Sequence, residues 1–265
     1  MSGGKFEDPK FWSQAGGHYH SVAHLFTTPF AERAYAEARV PEGSNVLDIA
    51  TGPGALAFVA ARAGARVLAT DFAEGMVQRV SALGLQNVET RTMNGQALDL
   101  PDASFDAAFS MFGIMLFPDW RAGMSEMARV VRPGGVGCVG TWKNPRGAAA
   151  TLLLAQVVSR LFPEVEYPEP WGGLVELSDP GRLRSALENV GFADVRIVEE
   201  TRDFPVTPEM LNNPDQLFSF SPVWPVLSQG QRERALQIMR SDGGVLAVPS
   251  TALIATARRL HSIRM

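Results

Sequence analysis

The sequence is poor in the residues that build disulfide frameworks and metal clusters. Its 265 residues include a single cysteine, Cys138, and four histidines. One cysteine excludes an internal disulfide and leaves no cysteine-based zinc cluster, so we expect no bound metal. Cys138 lies in an apolar stretch, which indicates a buried and unreactive thiol.

Positive charge and long apolar runs are also scarce. The chain has 24 Lys and Arg against 28 Asp and Glu, a net charge of −4, and no block of clustered basic residues. Because phosphate backbones bind clustered cations, a nucleic-acid substrate is not expected. The sequence shows neither an apolar stretch long enough to span a bilayer nor an apolar signal-peptide core. We therefore expect a cytoplasmic protein without a membrane partner.

The clearest pattern lies within residues 45–71. An apolar strand over 45–50 leads into a turn with Gly52 and Gly54, a helix over 55–63 and a second strand that ends at Asp71. The glycines allow a sharp turn and close approach of a ligand to the backbone, and the helix N-terminus favours an anionic group. An acid at the end of the next strand suits a ribose diol. The pattern predicts a site for a nucleoside-containing cofactor.

Asp48 helps to distinguish between the possible cofactors. The turn also fits the G-x-G-x-x-G/A fingerprint of dinucleotide sites, with Asp71 nineteen residues after Gly52. An acid inside the first strand is unexpected there, but it suits the ammonium group of an amino-acid tail, directly or through water. Together these residues resemble the first motif of the class I SAM-dependent methyltransferases, in the UbiE-like small-molecule group. The sequence departs from that motif at Ala50, where the family usually has its first glycine.

The resemblance implies S-adenosyl-L-methionine as cofactor and S-adenosyl-L-homocysteine as product. Residues 93–106 resemble the family's adenine-side loop, with Gln96 where the family commonly has an acid. The resemblance implies that the methionine portion of the cofactor is bound by Asp48, Gly52 and Gly54, its ribose by Asp71, and its adenine by Phe72 and Gln96. The expected cofactor contacts are Asp48, Ala50, Gly52, Gly54, Asp71, Phe72, Met76, Asn94, Gly95, Gln96, Ala97, Ser110 and Met111.

The alternation of strands and helices predicts one α/β domain over 1–265. The resemblance implies a Rossmann-like, doubly wound, seven-stranded sheet whose last strand is antiparallel. We predict strands over 45–50, 66–70, 88–92, 105–111, 136–142, 194–201 and 250–258. A helical cover over 1–40, broken or kinked at Pro29, precedes the sheet, and a helical insertion over 205–249 precedes the last strand. The insertion is either a substrate lid or an insert that is decorative or dimer-forming.

The acceptor site is expected beyond the end of the fourth strand, where residues 110–117 carry no charge. Aromatic and methionine side chains from several segments predict a small, flat, mostly apolar substrate, with oxygen, nitrogen or carbon as acceptor atom. The expected substrate contacts are Trp12, Tyr19, Phe112, Met115, Trp142, Phe218 and Trp224. The chain is expected to act as a monomer or a homodimer.

A general base is not evident from the sequence. The candidates in the N-terminal segment are His18, Tyr19, His20 and His24, with His20 and His24 on one helix face. The simpler interpretation of these histidines is that they are ordinary structural or surface residues. Two other functions stay open, an NAD-dependent oxidoreductase that uses the same turn and a non-catalytic SAM-binding module.

Overall fold

The structure is a computed structural model that describes residues 7–168, 172–241 and 244–261. Within the first helix the side chains of residues 14–23 and 25 are outside the description. The candidate catalytic side chains of His18, Tyr19 and His20 therefore lie outside the described part.

One mixed sheet organises the described residues. Its seven strands lie in the order β3-β2-β1-β4-β5-β7-β6. They are β1 (Asn45–Ile49), β2 (Arg66–Asp71), β3 (Val88–Thr92), β4 (Phe105–Met111), β5 (Val131–Trp142), β6 (Phe192–Val206) and β7 (Leu246–Arg259). Strands β1 to β5 pair in parallel, and β7 runs antiparallel to both β5 and β6. This order confirms the predicted doubly wound α/β fold with an antiparallel last strand.

Helices cover both faces of the sheet. In the described part they are α1 (Pro9–Ala38), α2 (Ala55–Arg62), α3 (Glu74–Ser81), α4 (Trp120–Val130), α5 (Ala149–Leu161), α6 (Gly172–Leu177), α7 (Pro180–Asn189), α8 (Pro208–Leu211), α9 (Pro214–Leu217) and α10 (Gln229–Ser241). Alternate residues of β1 serve opposite faces: Leu47 and Ile49 pack with α4 and α7, and Val46 packs with α1 and α2. The reversal of strand order between β1 and β4 places a crevice at their carboxyl ends.

Helix α1 is one continuous element, so of the two outcomes predicted at Pro29, a break or a kink, the break does not occur. Pro29 lies inside the helix, although a proline there removes one backbone hydrogen bond. Directly after it, Phe30, Ala31 and Ala34 are buried against the sheet. Burial of this apolar face stabilises the helix across the proline.

The predicted insertion bounds also need correction. Strands β6 and β7 continue as an antiparallel pair from Thr201 with Thr251 to Val206 with Leu246, so the helical insertion is confined to 207–245. Pro205 suggested a loop, but β6 is the edge strand of the sheet, where a missing N–H is tolerated. The insertion packs its own core with α5 and the extended strands.

Among the described helices, none combines the length and the apolar character needed to cross a bilayer.

Candidate active site

The turn after β1 contains two glycines with different surroundings. Gly52 and Gly54 both have left-handed backbones, with φ of +53° and +87°. A Cβ added to Gly52 meets no atom within 4 Å, whereas one added to Gly54 lies 2.9 Å from Cγ2 of Val80. Gly52 therefore faces open space that a ligand can enter, and Gly54 permits close packing of the turn on α3. The predicted cofactor contact of the Gly54 backbone stays a prediction.

Asp48 lies beneath the turn and is 1% exposed. Its Oδ2 accepts hydrogen bonds from Thr51 Oγ1 at 2.6 Å and from the Ala57 backbone N–H at 3.1 Å. Burial raises the pKa of this carboxyl to about 7. The carboxyl group thus braces the turn against α2, and its predicted contact with an ammonium group stays a prediction. Thr51 is a site residue that the sequence reasoning missed, although its place beside Gly52 was a usable signal.

Asp71 ties the turn to the start of α3. Its Oδ2 accepts from Gly52 N–H at 3.0 Å, and its Oδ1 accepts from Ala73 N–H at 2.9 Å. The residue is 6% exposed, and burial raises its pKa to about 6 against the lowering effect of these N–H donors. Each carboxylate oxygen has a second lone pair. The ionised side chain therefore retains capacity to accept hydroxyl groups of a ribose.

The loop expected at the adenine is tied to α4. Gln96 Oε1 accepts from the Asp119 backbone N–H at 2.7 Å, and Asn94 Oδ1 accepts from Gln96 N–H at 3.0 Å. The Gln96 side chain is thus oriented by the residue that caps α4. Its oxygen has a second lone pair, and its predicted contact with the adenine stays a prediction. Gly95 is packed beneath Phe117, and Ala97 is exposed.

Two predicted cofactor contacts are buried in the fold instead. Met76 is 1% exposed, because it lies on the inner face of α3. Ser110 is 0% exposed, and its Oγ accepts from the Ile114 backbone N–H at 3.1 Å. Both support the surrounding structure, and their predicted cofactor contacts stay predictions. Phe72 and Met111 are half-buried, and their predicted cofactor contacts stay predictions.

The carboxyl ends of β1 and β4 touch each other. A Cβ added to Gly113 lies 2.5 Å from Cβ of Ala50, so only glycine allows this approach. Ala50 itself has a left-handed backbone with φ of +56°, a conformation that glycine adopts without strain. The position where the resembled family usually has glycine thus carries the glycine conformation here.

Five aromatic side chains gather beyond the ends of β4 and β5. We call Phe26, Phe30, Phe112, Trp142 and Phe204 the aromatic cluster. Phe112 and Trp142 stack with ring centroids 3.9 Å apart, and Phe30 points its edge at both, at 5.6 Å and 5.4 Å. Phe26 lies 5.9 Å from Trp142 and 5.0 Å from Phe204. The cluster includes the predicted Phe112 and Trp142. Phe26 and Phe30 were missed, although their spacing of one helical turn was a usable signal.

Three other predicted substrate contacts belong to hydrophobic cores. Met115 is 3% exposed, Phe218 0% and Trp224 5%. Thr141 Oγ1 donates to the Met115 sulfur, and Trp224 Nε1 donates to Asp215 within the insertion. Phe218 and Trp224 pack against each other with centroids 5.0 Å apart. These residues stabilise the elements that carry them, and their predicted contacts with a substrate stay predictions.

The first turns of α1 connect α3 with the insertion. Ser13 accepts at its Oγ from Gly75 N–H at 3.2 Å and at its carbonyl from Arg79 Nη2 at 3.1 Å. Trp12 lies 5.4 Å from Phe220 of the insertion. The two predicted covers therefore meet, and α1 is fixed beside the end of β2.

The remaining base candidate, His24, lies beside α2. Its ring is 6.0 Å from that of Phe58. Within residues 7–168, 172–241 and 244–261, no three His, Cys, Asp or Glu side chains are grouped to hold a metal ion.

A cavity of about 620 Å³ lies at the other edge of the sheet. Its lining includes Asn45, Arg66, Val88 and Phe105, the first residues of four strands. Ligands of open α/β sheets bind at the carboxyl ends of the strands. The glycine turn and Asp71, at that carboxyl edge, are therefore the stronger candidate site.

Comparison with known proteins places the glycine turn within a recognised domain. Residues 46–135 match the family described as Methyltransferase domain. The demethylmenaquinone methyltransferase of Corynebacterium efficiens is 36% identical over 123 residues, 46% of this chain and 52% of that protein. UbiE of Geobacter sulfurreducens, named a ubiquinone/menaquinone biosynthesis C-methyltransferase, is 29% identical over 183 residues, 62% of this chain and 70% of that protein.

Another relative, the uncharacterized protein Rv1405c of Mycobacterium tuberculosis, is 36% identical over 129 residues, 48% of this chain and 47% of its own length. The chain thus spans about half the length of several relatives that it matches. Among solved structures, YcgJ of Bacillus subtilis shares the fold with a TM-score of 0.59 at 15% identity, over 90% of this chain and 100% of that one. Phosphoethanolamine N-methyltransferase 2 of Haemonchus contortus, solved with S-adenosyl-L-methionine, gives a TM-score of 0.52 at 15% identity, over 88% of this chain and 53% of that one.

The strand order and the glycine turn define the class I methyltransferase fold. Residues 46–135 match the methyltransferase domain family, in agreement with the resemblance drawn from the sequence.

Proposed function

We propose that this chain is an S-adenosyl-L-methionine-dependent methyltransferase acting on a small, mostly apolar or aromatic metabolite. The observation that carries the proposal is the pairing of Gly52 with Asp71. The space above Gly52 is open, and the Asp71 carboxylate beside it receives the Gly52 N–H at 3.0 Å. The Gly52 backbone, which has no side chain, lies next to a carboxylate that can accept ribose hydroxyls. This arrangement fits a nucleoside cofactor with a sulfonium tail.

The chain's own residues divide the work of holding the cofactor. The Gly52 backbone lies beneath it, and Asp71 accepts the ribose hydroxyls. Asp48 acts indirectly, since its bonds to Thr51 and Ala57 keep the turn and α2 in register. When bound, the cofactor supplies an electrophilic methyl group. Positioning and exclusion of water provide much of the rate in such a transfer, so a rigid turn serves the reaction.

The acceptor is proposed to bind against the aromatic cluster. The cluster neighbours the turn, because Phe112 precedes Gly113, which touches Ala50. Aromatic walls favour a flat apolar molecule and keep water from the reactive methyl group. The names of two relatives, a demethylmenaquinone methyltransferase and a ubiquinone/menaquinone C-methyltransferase, support a ring of the quinone type.

Calorimetric titration with S-adenosyl-L-homocysteine and, separately, with NADH tests the cofactor. We expect micromolar or tighter binding of S-adenosyl-L-homocysteine and no binding of NADH. The opposite result would identify an oxidoreductase. A cofactor-consumption screen over phenols, quinols and amines, read by product mass, then tests turnover. Tight binding of S-adenosyl-L-homocysteine without turnover of any acceptor would indicate a non-catalytic cofactor-binding module.

A further inference from the structure

Phe112 has an unusual backbone for a bulky residue. It directly follows Met111, the last residue of β4, and has φ of +63°. This left-handed region is a genuine outlier for a large side chain. Its N–H still donates to the Gly140 carbonyl at 2.9 Å, which holds the residue beside β5. Strained conformations of this kind concentrate at ligand sites and switch regions.

The strained backbone places the Phe112 ring flat on Trp142. The centroids are 3.9 Å apart and the planes differ by 14°. At this spacing no third ring fits between the two. Both residues are half-buried, so the stack lies at the surface of the aromatic cluster.

The two partners differ in how firmly they are held. Trp142 lies within the β5–β7 ladder, paired with Ala252, and receives the edge of Phe30 at 5.4 Å. Phe112 lies one residue past the end of β4 and is followed by Gly113. A change of backbone conformation at Phe112 relieves its left-handed strain, while the backbone of Trp142 is held in the ladder.

We propose that the Trp142 face covered by Phe112 is the binding surface for the flat ring of the methyl acceptor, and that Phe112 leaves it when the acceptor binds. This inference rests on the proposed function and specifies which residues select its substrate. The exchange is nearly balanced, because one aromatic stack replaces another. Until the acceptor arrives, the Phe112 ring keeps water from the site beside Ala50.

Binding of a planar probe and its saturated counterpart tests the proposal. The protein is saturated with S-adenosyl-L-homocysteine and titrated calorimetrically with 2-naphthol and with decahydro-2-naphthol. Wild-type protein should prefer 2-naphthol. Trp142→Leu should lose about tenfold in 2-naphthol affinity and Trp142→Phe should retain most of it. Phe112→Ala should bind 2-naphthol about twofold to tenfold more tightly, since the competing ring is gone.

Phe105→Ala is the matched control. Phe105 is half-buried in the same strand but lies at its amino end, so its truncation should leave probe affinity unchanged. Affinity for S-adenosyl-L-homocysteine, measured on every variant, reports a folded cofactor site. If S-adenosyl-L-homocysteine fails to bind wild-type protein, the proposed function itself is wrong.

If S-adenosyl-L-homocysteine does bind, any one of three results would overturn this inference without overturning the proposed function. They are no binding of 2-naphthol to the wild type, equal binding of the saturated probe, and weaker binding of 2-naphthol after Phe112→Ala. The last result would make Phe112 a fixed wall of the site.

Discussion

Cofactor affinity should depend on pH through Asp71. Burial raises the pKa of this carboxyl from 3.8 to about 6, so it is largely ionised above about pH 7 and largely protonated at about pH 5. Ribose hydroxyls donate to the ionised form, and a proton on the carboxyl group removes acceptor capacity. Lowering the pH to about 5 should therefore weaken S-adenosyl-L-homocysteine binding by about tenfold, one pH unit below the pKa.

The effect of the same group on folding has the opposite sign. Because its folded pKa lies above 3.8, the folded chain binds this proton more tightly than the unfolded chain. The contribution of Asp71 to stability therefore increases as the pH falls from about 7 to about 4. Loss of binding at about pH 5 would not reflect unfolding caused by this residue.

Asp71→Asn should remove the pH dependence and weaken binding at neutral pH by about tenfold to hundredfold, since neutral hydrogen bonds are weaker than charged ones. An amide has a single acceptor oxygen, and Asp71 now serves the N–H groups of both Gly52 and Ala73. One of these donors loses its partner, which costs about 1–3 kcal/mol of stability. The substitution also removes a buried charge, which offsets part of this cost. Chemical denaturation of the variant measures this change.

Calorimetry from about pH 5 to about pH 8 provides the test. Asp48→Asn is the matched variant, because Asp48 is also a buried carboxyl group with a raised pKa. The midpoint near 6 should persist in that variant. A flat profile in wild-type protein, or the same slope in Asp71→Asn, would refute the role given to Asp71.

Other substitutions test the turn and the cover. Gly52→Ala should abolish S-adenosyl-L-homocysteine binding in a thermal-shift assay. Gly84→Ala is the control, because Gly84 has a similar left-handed φ and equally open surroundings, and this variant should still bind the ligand. Retained binding in Gly52→Ala would show that the turn is merely structural. Ala50→Gly should raise the free energy of unfolding by about 1 kcal/mol through relief of its left-handed backbone, and a destabilised variant would contradict this. Arg79→Met removes the donor to the Ser13 carbonyl. This variant should show faster hydrogen exchange at the start of α1 and faster dissociation of the ligand. Arg91→Met on β3 is the control and should change neither rate. Equal exchange in both variants would mean that this contact does not hold the cover.

Local sequence determined the fold and the position of the glycine turn. Strand β3 and strand β4 have the predicted bounds, and Asp119, a residue type typical of helix N-termini, caps α4 through the Ala122 N–H. Apolar periodicity and turn chemistry act over a few residues, so a sequence pattern shows them directly. The spacing from Gly52 to Asp71 is equally local, because one strand-helix-strand unit joins them.

Tertiary structure alone decided which side chains are accessible. Met115, Phe218 and Trp224 resembled pocket residues in composition, yet they are buried in two different cores. Whether an aromatic residue faces a ligand or a neighbouring helix depends on packing between elements distant in sequence, and composition carries no record of it. The Gln96 oxygen likewise accepts from the backbone N–H of Asp119, 23 residues away. The stack of Phe112 on Trp142 depends on the meeting of two strand ends, which only the folded sheet brings together.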